Sequence, residues 1–382
     1  MKGKRRLAIV GPFGLKIKGT VRARAIPLAL SLEKKGFEAG LFLPPWDSPS
    51  DSGRIDRVGN VEIHQLSLPP RLPVISHIII ALKLAHHCLS YKPDFIWAFK
   101  PTGYSGLVVA FLKPFKKPLV VDADDWEGKG GWSERNPYPK LWRAFIPYQE
   151  KWVLTHADAV TVASRTLQSI AWSMGIPQSK VLYLPNGVDM LPSLGPGNRR
   201  AVALYTRFVE FTPQDLLEIW LKILQKEPEA ELVIIGKGFG GEEKEFMALT
   251  KQAGVESSVR VMGWMEREKA LALLGECRVA IWPCRDNLIN RAKCPAKLAE
   301  LIAIGLPVVA ENVGEASSYV LPELLVESGD IDGLVEKVIM LLKDEAKARE
   351  LGAKGRERIL SSFSWDSLAD KFLRFVEETG LG

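Results

Sequence analysis

The segment NRAKCPAKLAELIAIGLPVVAENVGE, residues 290–315, sets two lysines and a glutamate around the start of an apolar helix pattern. Pro295 suits the first helical position because it has no N–H to satisfy. The helix that follows would turn free backbone N–H groups and a partial positive charge toward the preceding loop. Lys293 in that loop and Lys297 in the first turn add cations where the helix dipole opposes them. A bound anion removes the conflict, and a diphosphate would do so well. Glu300 shares a face with Lys297. It is placed either to accept hydrogen bonds from sugar hydroxyls or to form a surface ion pair of little worth. Leu298, Leu301 and Ile302 point the other way, into a core. Cys294 reads as a small packed side chain rather than a nucleophile, since no histidine is near it in sequence.

Four other stretches carry candidate chemistry. In LYTRFVEFTPQDLLEIW, Arg207 follows a strand and precedes a helix, where a guanidinium can fork onto phosphate oxygens or simply face solvent. In VVDADDWEGKGGW, Asp122, Asp124 and Asp125 come at the end of a buried strand, with Trp126 and Glu127 next. Carboxylates this close raise one another's pKa, which suits general acid–base work or polar recognition, against the plainer roles of capping and turn formation. A divalent cation is a further option, but no full oxygen cage is evident. In GLKIKGTVRARAIPLAL, Gly19 and Thr20 stand ahead of a helix whose backbone N–H groups could hold an anion, with Lys16, Lys18, Arg22 and Arg24 adding charge. GKGFGG spells GxGxxG through Gly236, Gly238 and Gly241. A dinucleotide fingerprint also wants an acid at the end of the next strand, and only Glu266 is near, past that end. A glycine-rich turn permitting close backbone approach is the better reading.

These stretches need a scaffold, and the hydrophobic pattern supplies one. RLAIVG, AGLFLP, VEIHQLSL, DFIWAF, PLVVDA, DAVTVAS and KVLYLP read as short strands separated by helical patterns, the first over about residues 20–35. A second series follows: AVALYT, ELVIIG, VRVMG, RVAIWP, LPVVA and ELLVES, with helices from Pro213, Glu242, Arg267, Pro295 and Ile331. Strands alternating with helices predict parallel sheets with crossovers, so an α/β fold of two Rossmann-like domains. The expected divisions are 1–190, a Pro- and Gly-rich linker at 191–198, a second domain at 199–362, and a C-terminal amphipathic helix at 363–382 packing back toward the first domain. Ligands of such sheets bind beyond the carboxyl ends of the strands, so a cleft between facing domains is expected.

Bulk composition agrees with a globular protein. The 382 residues are 47% hydrophobic and 25% charged, with a formal net charge of +6. The basic excess lies in the first half, which suggests phosphate or an anionic membrane face. No zinc, RNP or helix-turn-helix signature supports nucleic acid. The four cysteines form no CxxC pair and no metal set is spelled out, which fits a reduced compartment. MKGKRRLAIVG has too short an apolar run for a signal peptide, and no stretch is long and apolar enough to span a membrane. RLPVISHIIIALKLAHHCL is both apolar and basic, so it reads either as a buried crossover helix or as a membrane-surface element.

YLPNGVD, LVIIGKG, RVMGWMEREKALALLGECRVAIWP, CPAKLAELIAIGLPVVAENVGE and the late FSW occur in an order that resembles the GT-B glycosyltransferases of family 4, across nearly the whole chain. The start of the fourth of these, CPAKLAE, resembles a CPxKLxE variant of the family's donor segment. The resemblance implies two Rossmann-like domains and transfer of a sugar from a nucleotide-sugar donor, with retention of configuration and without a metal or other cofactor. It implies that Arg207 neutralises the donor diphosphate, Glu300 holds the ribose hydroxyls, Gly236 lies near the base, and Gly19 and Thr20 approach the phosphates. Three positions depart from the family. Its second phosphate lysine falls at Thr212, the first glutamate of its pair at Ala292, and its first-domain histidine at about Asp124. Lys293 and Lys297 are candidates to compensate for the first, and Asp124 or Asp125 to contact sugar or acceptor.

The expectation is therefore a cytoplasmic retaining glycosyltransferase, acting on a glycan or lipid-linked acceptor in surface glycan or glycolipid synthesis, with peripheral contact to the inner face of the cell membrane. The alternatives are a nucleotide-sugar epimerase of the same fold, a non-catalytic nucleotide-sugar-binding protein, and, through GKGFGG, an oxidoreductase.

Overall fold

The structure is a computed structural model that describes residues 5–16, 19–70, 72 and 74–381; Lys18 lies outside them. The chain forms two compact units. The first comprises Met1–Asn186, Ala292–Cys294 and Trp365–Gly382, and the second Gly187–Arg291 and Pro295–Ser364.

The first unit is built on eight strands: β1 (Arg5–Val10), β2 (Phe37–Leu43), β3 (Ile55–Val58), β4 (Val61–Gln65), β5 (Phe95–Phe99), β6 (Leu119–Ala123), β7 (Ala159–Val162) and β8 (Val181–Tyr183). Their order is β3-β4-β2-β1-β5-β6-β7-β8. All neighbours are parallel except β3 and β4. The second unit has β9 (Arg199–Tyr205), β10 (Glu231–Ile235), β11 (Val259–Val261), β12 (Cys277–Trp282), β13 (Val308–Glu311) and β14 (Leu325–Val326), in the order β11-β10-β9-β12-β13-β14. All of its pairings are parallel. The expected α/β fold with two parallel sheets is observed. The order of the strands reverses once in each sheet, between β1 and β5 and between β9 and β12, so ligand sites are expected beyond the carboxyl ends there.

β5, β6 and β12 are buried along their whole length, and β1 over its last four residues, which is why they read as apolar runs. β3 was not visible in the sequence. It is an exposed edge strand, with Asp56 and Arg57 in its middle, recruited by antiparallel pairing with β4 through the turn at Gly59. The helix expected from residue 20 begins as a π-helical turn, Val21–Ala25, before the α-helix Ile26–Lys34.

Residues beyond the last strand of the first unit do not dangle. Leu194 N and Gly195 N both donate to Ile304 O within the second unit. The helix Trp365–Glu378 buries Trp365, Leu368, Phe372, Phe375 and Val376 in the core of the first unit. There Phe372 stacks on Trp97 with centroids 4.0 Å apart. Among the described residues no helix is long and apolar enough to cross a membrane. The four cysteines are buried and form no disulfide with one another.

Candidate functional site

In the second unit the site forms where β9 ends. Thr206 and Arg207 follow its last residue, and the helix Ala296–Ala303 brings Lys297 and Glu300 to the same place. Lys297 Nζ donates to Thr206 O at 3.0 Å and lies 4.2 Å from the centre of the Tyr205 ring. Burial pushes the Tyr205 phenol up to about 12, and the charges of Glu300, Arg267 and Arg207 all act on it. Arg207 is exposed, with its guanidinium carbon 5.9 Å from the Phe239 ring centre. Two cations and a carboxylate thus surround Tyr205 and Thr206, at the switch point of the sheet.

Pro295 is the N-cap of the helix rather than its first residue, so the helix starts one position later than expected. Leu298, Leu301 and Ile302 are buried, as the pattern implied. Lys297 donates to the Thr206 carbonyl rather than pairing with Glu300. Glu300 pairs instead with Arg267, whose Nε donates to Oε1 at 2.5 Å. Burial raises the Glu300 pKa, while Arg267 and Lys297 act to lower it.

Gly236 has a purely steric necessity. Its φ is +136°, and a Cβ would lie 1.7 Å from Thr206 O. Gly236→Ala therefore must push aside the carbonyl that seats Lys297. The expected outcome is a loss of about 1–3 kcal/mol of stability together with weakened nucleotide binding, read by thermal unfolding and calorimetry. Unchanged binding and stability would contradict this placement.

The GKGFGG loop does not present an open phosphate cradle. Gly238 N donates to Glu243 Oε2 at 3.0 Å, and Gly240 N to Glu242 Oε2 at 2.8 Å. The first turn of the following helix carries Glu242, Glu243 and Glu245, which would repel a pyrophosphate. Two of the loop's N–H groups, those of Gly238 and Gly240, are thus taken by glutamates of the following helix, which weighs against the oxidoreductase reading.

Thr212, at the family's lysine position, is a helix cap. Its hydroxyl accepts from Asp215 N, and Asp215 Oδ2 accepts from Thr212 N at 2.9 Å, a capping box.

In the first unit, Lys100 and Asp124 directly follow the adjacent strands β5 and β6. Lys100 Nζ lies 3.0 Å from Asp124 Oδ1, 3.0 Å from Asp125 Oδ2 and 4.0 Å from Glu127 Oε1. The Lys100 ammonium gathers these carboxylates. Among the described residues no group of His, Cys, Asp or Glu is placed to hold a metal ion. Burial acts to lower the Lys100 pKa, but the three acids raise it well above the usual range. Burial raises Asp125, and Asp124 adds to this, against Lys100 and Lys293. Lys293 therefore belongs with the acidic cluster of the first unit. Glu150, on the helix Lys140–His156, is fully buried and accepts from Glu127 N at 3.2 Å. Its Oε2 is buried without a partner, and burial pushes its carboxyl up to about 8. It can thus stay protonated at neutral pH and act as a donor. Lys100 and Glu150 were missed in the sequence. A lysine directly after the apolar run DFIWAF was the available signal for the first; nothing local marked the second.

Asp122 and Arg24 drop out of the candidate chemistry. Arg24 is fully buried, and its Nε and Nη2 donate to the two Asp122 oxygens at 2.8 and 2.7 Å. Nη2 and Nη1 also donate to Leu184 O and Pro185 O. Burial would lower the Arg24 pKa, but Asp122 more than reverses this. Lys16 Nζ is held by Asp51 Oδ1 at 2.6 Å. Of the basic residues near Gly19 and Thr20, Arg22 is exposed. Gly19 is exposed and Thr20 half-buried, and Thr20 begins the π-helical turn without a side-chain cap. Ala292 is fully buried in the core of the first unit. The neighbouring Cys294 is also buried; its Sγ accepts from Asn186 N at 3.1 Å and its carbonyl from Asn186 Nδ2 at 2.6 Å.

Comparison with known proteins adds the following. Residues 196–358 match the domain family described as "Glycosyl transferases group 1", and residues 19–187 the "Glycosyl transferase 4-like domain". The chain is 27% identical over 253 residues to an MMP alpha-(1->4)-mannosyltransferase of Mycolicibacterium hassiacum, covering 64% of this chain and 59% of that protein. It is 30% identical over 240 residues to a GDP-mannose-dependent alpha-(1-6)-phosphatidylinositol monomannoside mannosyltransferase of Mycobacterium tuberculosis, covering 57% of this chain and 61% of the relative. The similarity thus spans about three-fifths of these curated relatives. Among solved structures, a sucrose-phosphate synthase from Thermosynechococcus elongatus superimposes with a TM-score of 0.72 at 20% identity, covering 98% of this chain and 99% of the other.

Proposed function

Because the chain is related through both of its halves to the GT-B glycosyltransferases, we propose that it moves a sugar from a nucleotide-sugar donor to a glycan or lipid-linked acceptor, with retention and without a metal ion. The observation that carries this reading is the set of Arg207, Lys297 and Glu300 around Tyr205 and Thr206 at the carboxyl end of β9. Arg207 and Lys297 take the diphosphate, Glu300 the ribose hydroxyls, and Gly236 lies near the base. As the bond from the anomeric carbon to the diphosphate oxygen breaks, negative charge grows on the leaving group, and fixed cations there stabilise the transition state. In the first unit, Asp124 and Asp125, held by Lys100, serve sugar or acceptor hydroxyls, while Gly19, Thr20 and Lys293 are the candidate phosphate contacts of that unit.

The relatives named for GDP-mannose and for phosphatidylinositol monomannoside support a nucleotide-sugar donor and a lipid-linked acceptor. Exposed apolar side chains favour peripheral membrane contact. Ile75, Ile78 and Leu82 project from the helix Ile75–Ser90, and Leu141, Trp142 and Tyr148 from the helix Lys140–His156, which also carries Lys140 and Arg143. The protein would then work in the cytoplasm, at the inner face of the membrane, in surface glycan or glycolipid synthesis.

The test is incubation with GDP-mannose, UDP-glucose and UDP-N-acetylglucosamine in the presence of anionic liposomes containing phosphatidylinositol or a bacterial lipid extract. The expected result is free nucleoside diphosphate and glycosylated acceptor in equal amounts. A converted donor sugar without nucleoside diphosphate would assign an epimerase instead. Binding with neither outcome would assign a nucleotide-sugar-binding protein.

A further inference from the structure

Arg267 has no role among the sequence-derived site residues, yet it is bonded to Glu300 of the candidate donor site. It opens the helix Arg267–Gly275, directly after a loop that follows β11. Its Nε donates to Glu300 Oε1 at 2.5 Å, and its Nη2 to Asp189 Oδ2 at 3.1 Å. Both carboxylates belong to the same unit as the arginine. The guanidinium is therefore fixed from two sides. Glu300 Oε2, in contrast, accepts no hydrogen bond from the described residues, and the Glu300 side chain keeps 16% of its surface exposed. One oxygen is anchored and the other is available.

We propose that Arg267 is a positioning residue for donor binding, which holds Glu300 by one oxygen so that the other meets a vicinal diol of the ligand's ribose. The inference rests on the donor-site reading given above. A half-buried carboxylate without a counter-ion takes up a proton, and a protonated carboxyl turns an acceptor into a donor at one oxygen. The ionisable groups acting on Glu300 are Arg267 and Lys297, which favour its charge, Asp189, which opposes it, and the Tyr205 phenol, which it influences in turn. Arg267 is the foremost of the favourable charges. Its removal therefore raises the Glu300 pKa further. The ionised form is present above that pKa and lost as pH falls through it, so diol binding in the variant should fail at a higher pH than in the wild type. Arg267 also fixes geometry, because a fork held by two carboxylates has little freedom to turn.

The test is calorimetric titration of the full chain with GDP and UDP, each against its 2′-deoxy form, between pH 5 and 8. The wild type should prefer the ribonucleotide by about tenfold, the order of a hydrogen bond to a charged group. Arg267→Ala should lose most of that preference, and lose the remainder on acidification at a higher pH than the wild type. Arg267→Lys should restore part of it, because the charge returns without the fork. Asp189→Asn, which frees the far side of the guanidinium, gives a milder loss and a check should Arg267→Ala fail to fold. If Arg267→Ala and Asp189→Asn keep the wild-type preference and pH profile while Glu300→Gln loses the preference, Arg267 has no positioning role, although the donor reading stands. If the wild type binds neither GDP nor UDP nor any nucleotide sugar, the donor reading fails and takes this inference with it.

Discussion

Arg207→Ala is expected to lower kcat/KM for the nucleotide-sugar donor by about 10²–10³, the usual cost of removing one preorganised group that stabilises transition-state charge. The reason lies in where Arg207 stands. It follows β9 at the point where the order of the second sheet reverses, next to the Thr206 carbonyl that seats Lys297. It is exposed and Phe239, whose ring lies 5.9 Å from its guanidinium, is itself 71% exposed, so neither contributes much to folding. Thermal unfolding of the variant should match the wild type. Glu300→Ala should also cripple turnover, chiefly through KM, since a ribose contact is made equally in ground state and transition state. Wild-type-like turnover in both variants would remove this site from the reaction.

Asp122→Ala should destabilise the first unit by about 3–5 kcal/mol, the typical cost of leaving a buried ion without its partner. For a domain of this size that lowers Tm by roughly 10 °C or more. Arg24 would keep its contacts to Leu184 O, Pro185 O and Asn186 Oδ1, but none of these is charged. Thr161 would lose the acceptor for its hydroxyl, which lies 2.5 Å from Asp122 Oδ1, and Trp97 Nε1 is bonded to Thr161 in turn. Asp122→Asn should cost less, because one oxygen and the shape of the side chain remain. Nucleotide binding by the second unit is expected to persist in the variant at temperatures where the first unit remains folded. A change in stability below about 1 kcal/mol would show that Arg24 finds other compensation in the fold.

These two residues illustrate how far the sequence could be read. The parallel sheets were legible because their strands are buried on both faces and punctuated by turns, a local signal. The edge strand β3 was not, because an exposed edge needs no apolar run and is defined only by its partner β4. In the same way, the three aspartates of DADDW looked equivalent in sequence. Their roles are divided by partners far along the chain: Arg24, 98 residues before Asp122, and Lys100, 25 residues before Asp125. The Glu300–Arg267 pair, 33 residues apart, was hidden for the same reason, behind a nearer lysine at Lys297. Gly236 reads in sequence as a place where backbone approaches a ligand; the close neighbour the structure shows is instead the chain's own Thr206 carbonyl. Periodicity reports what an element buries; it does not report which charges meet when two strand ends come side by side.

The central claim is that the second unit binds a nucleotide sugar through Arg207, Lys297 and Glu300. Thermal unfolding of the wild-type chain with a panel of nucleotide sugars tests it directly, because a ligand that binds the native state raises Tm. At about 100 times its Kd such a ligand adds about 2.7 kcal/mol. The account predicts that at least one nucleotide sugar shifts Tm upward by several degrees, and that the shift is abolished in Arg207→Ala. No shift with any donor, or an equal shift in wild type and Arg207→Ala, would contradict it.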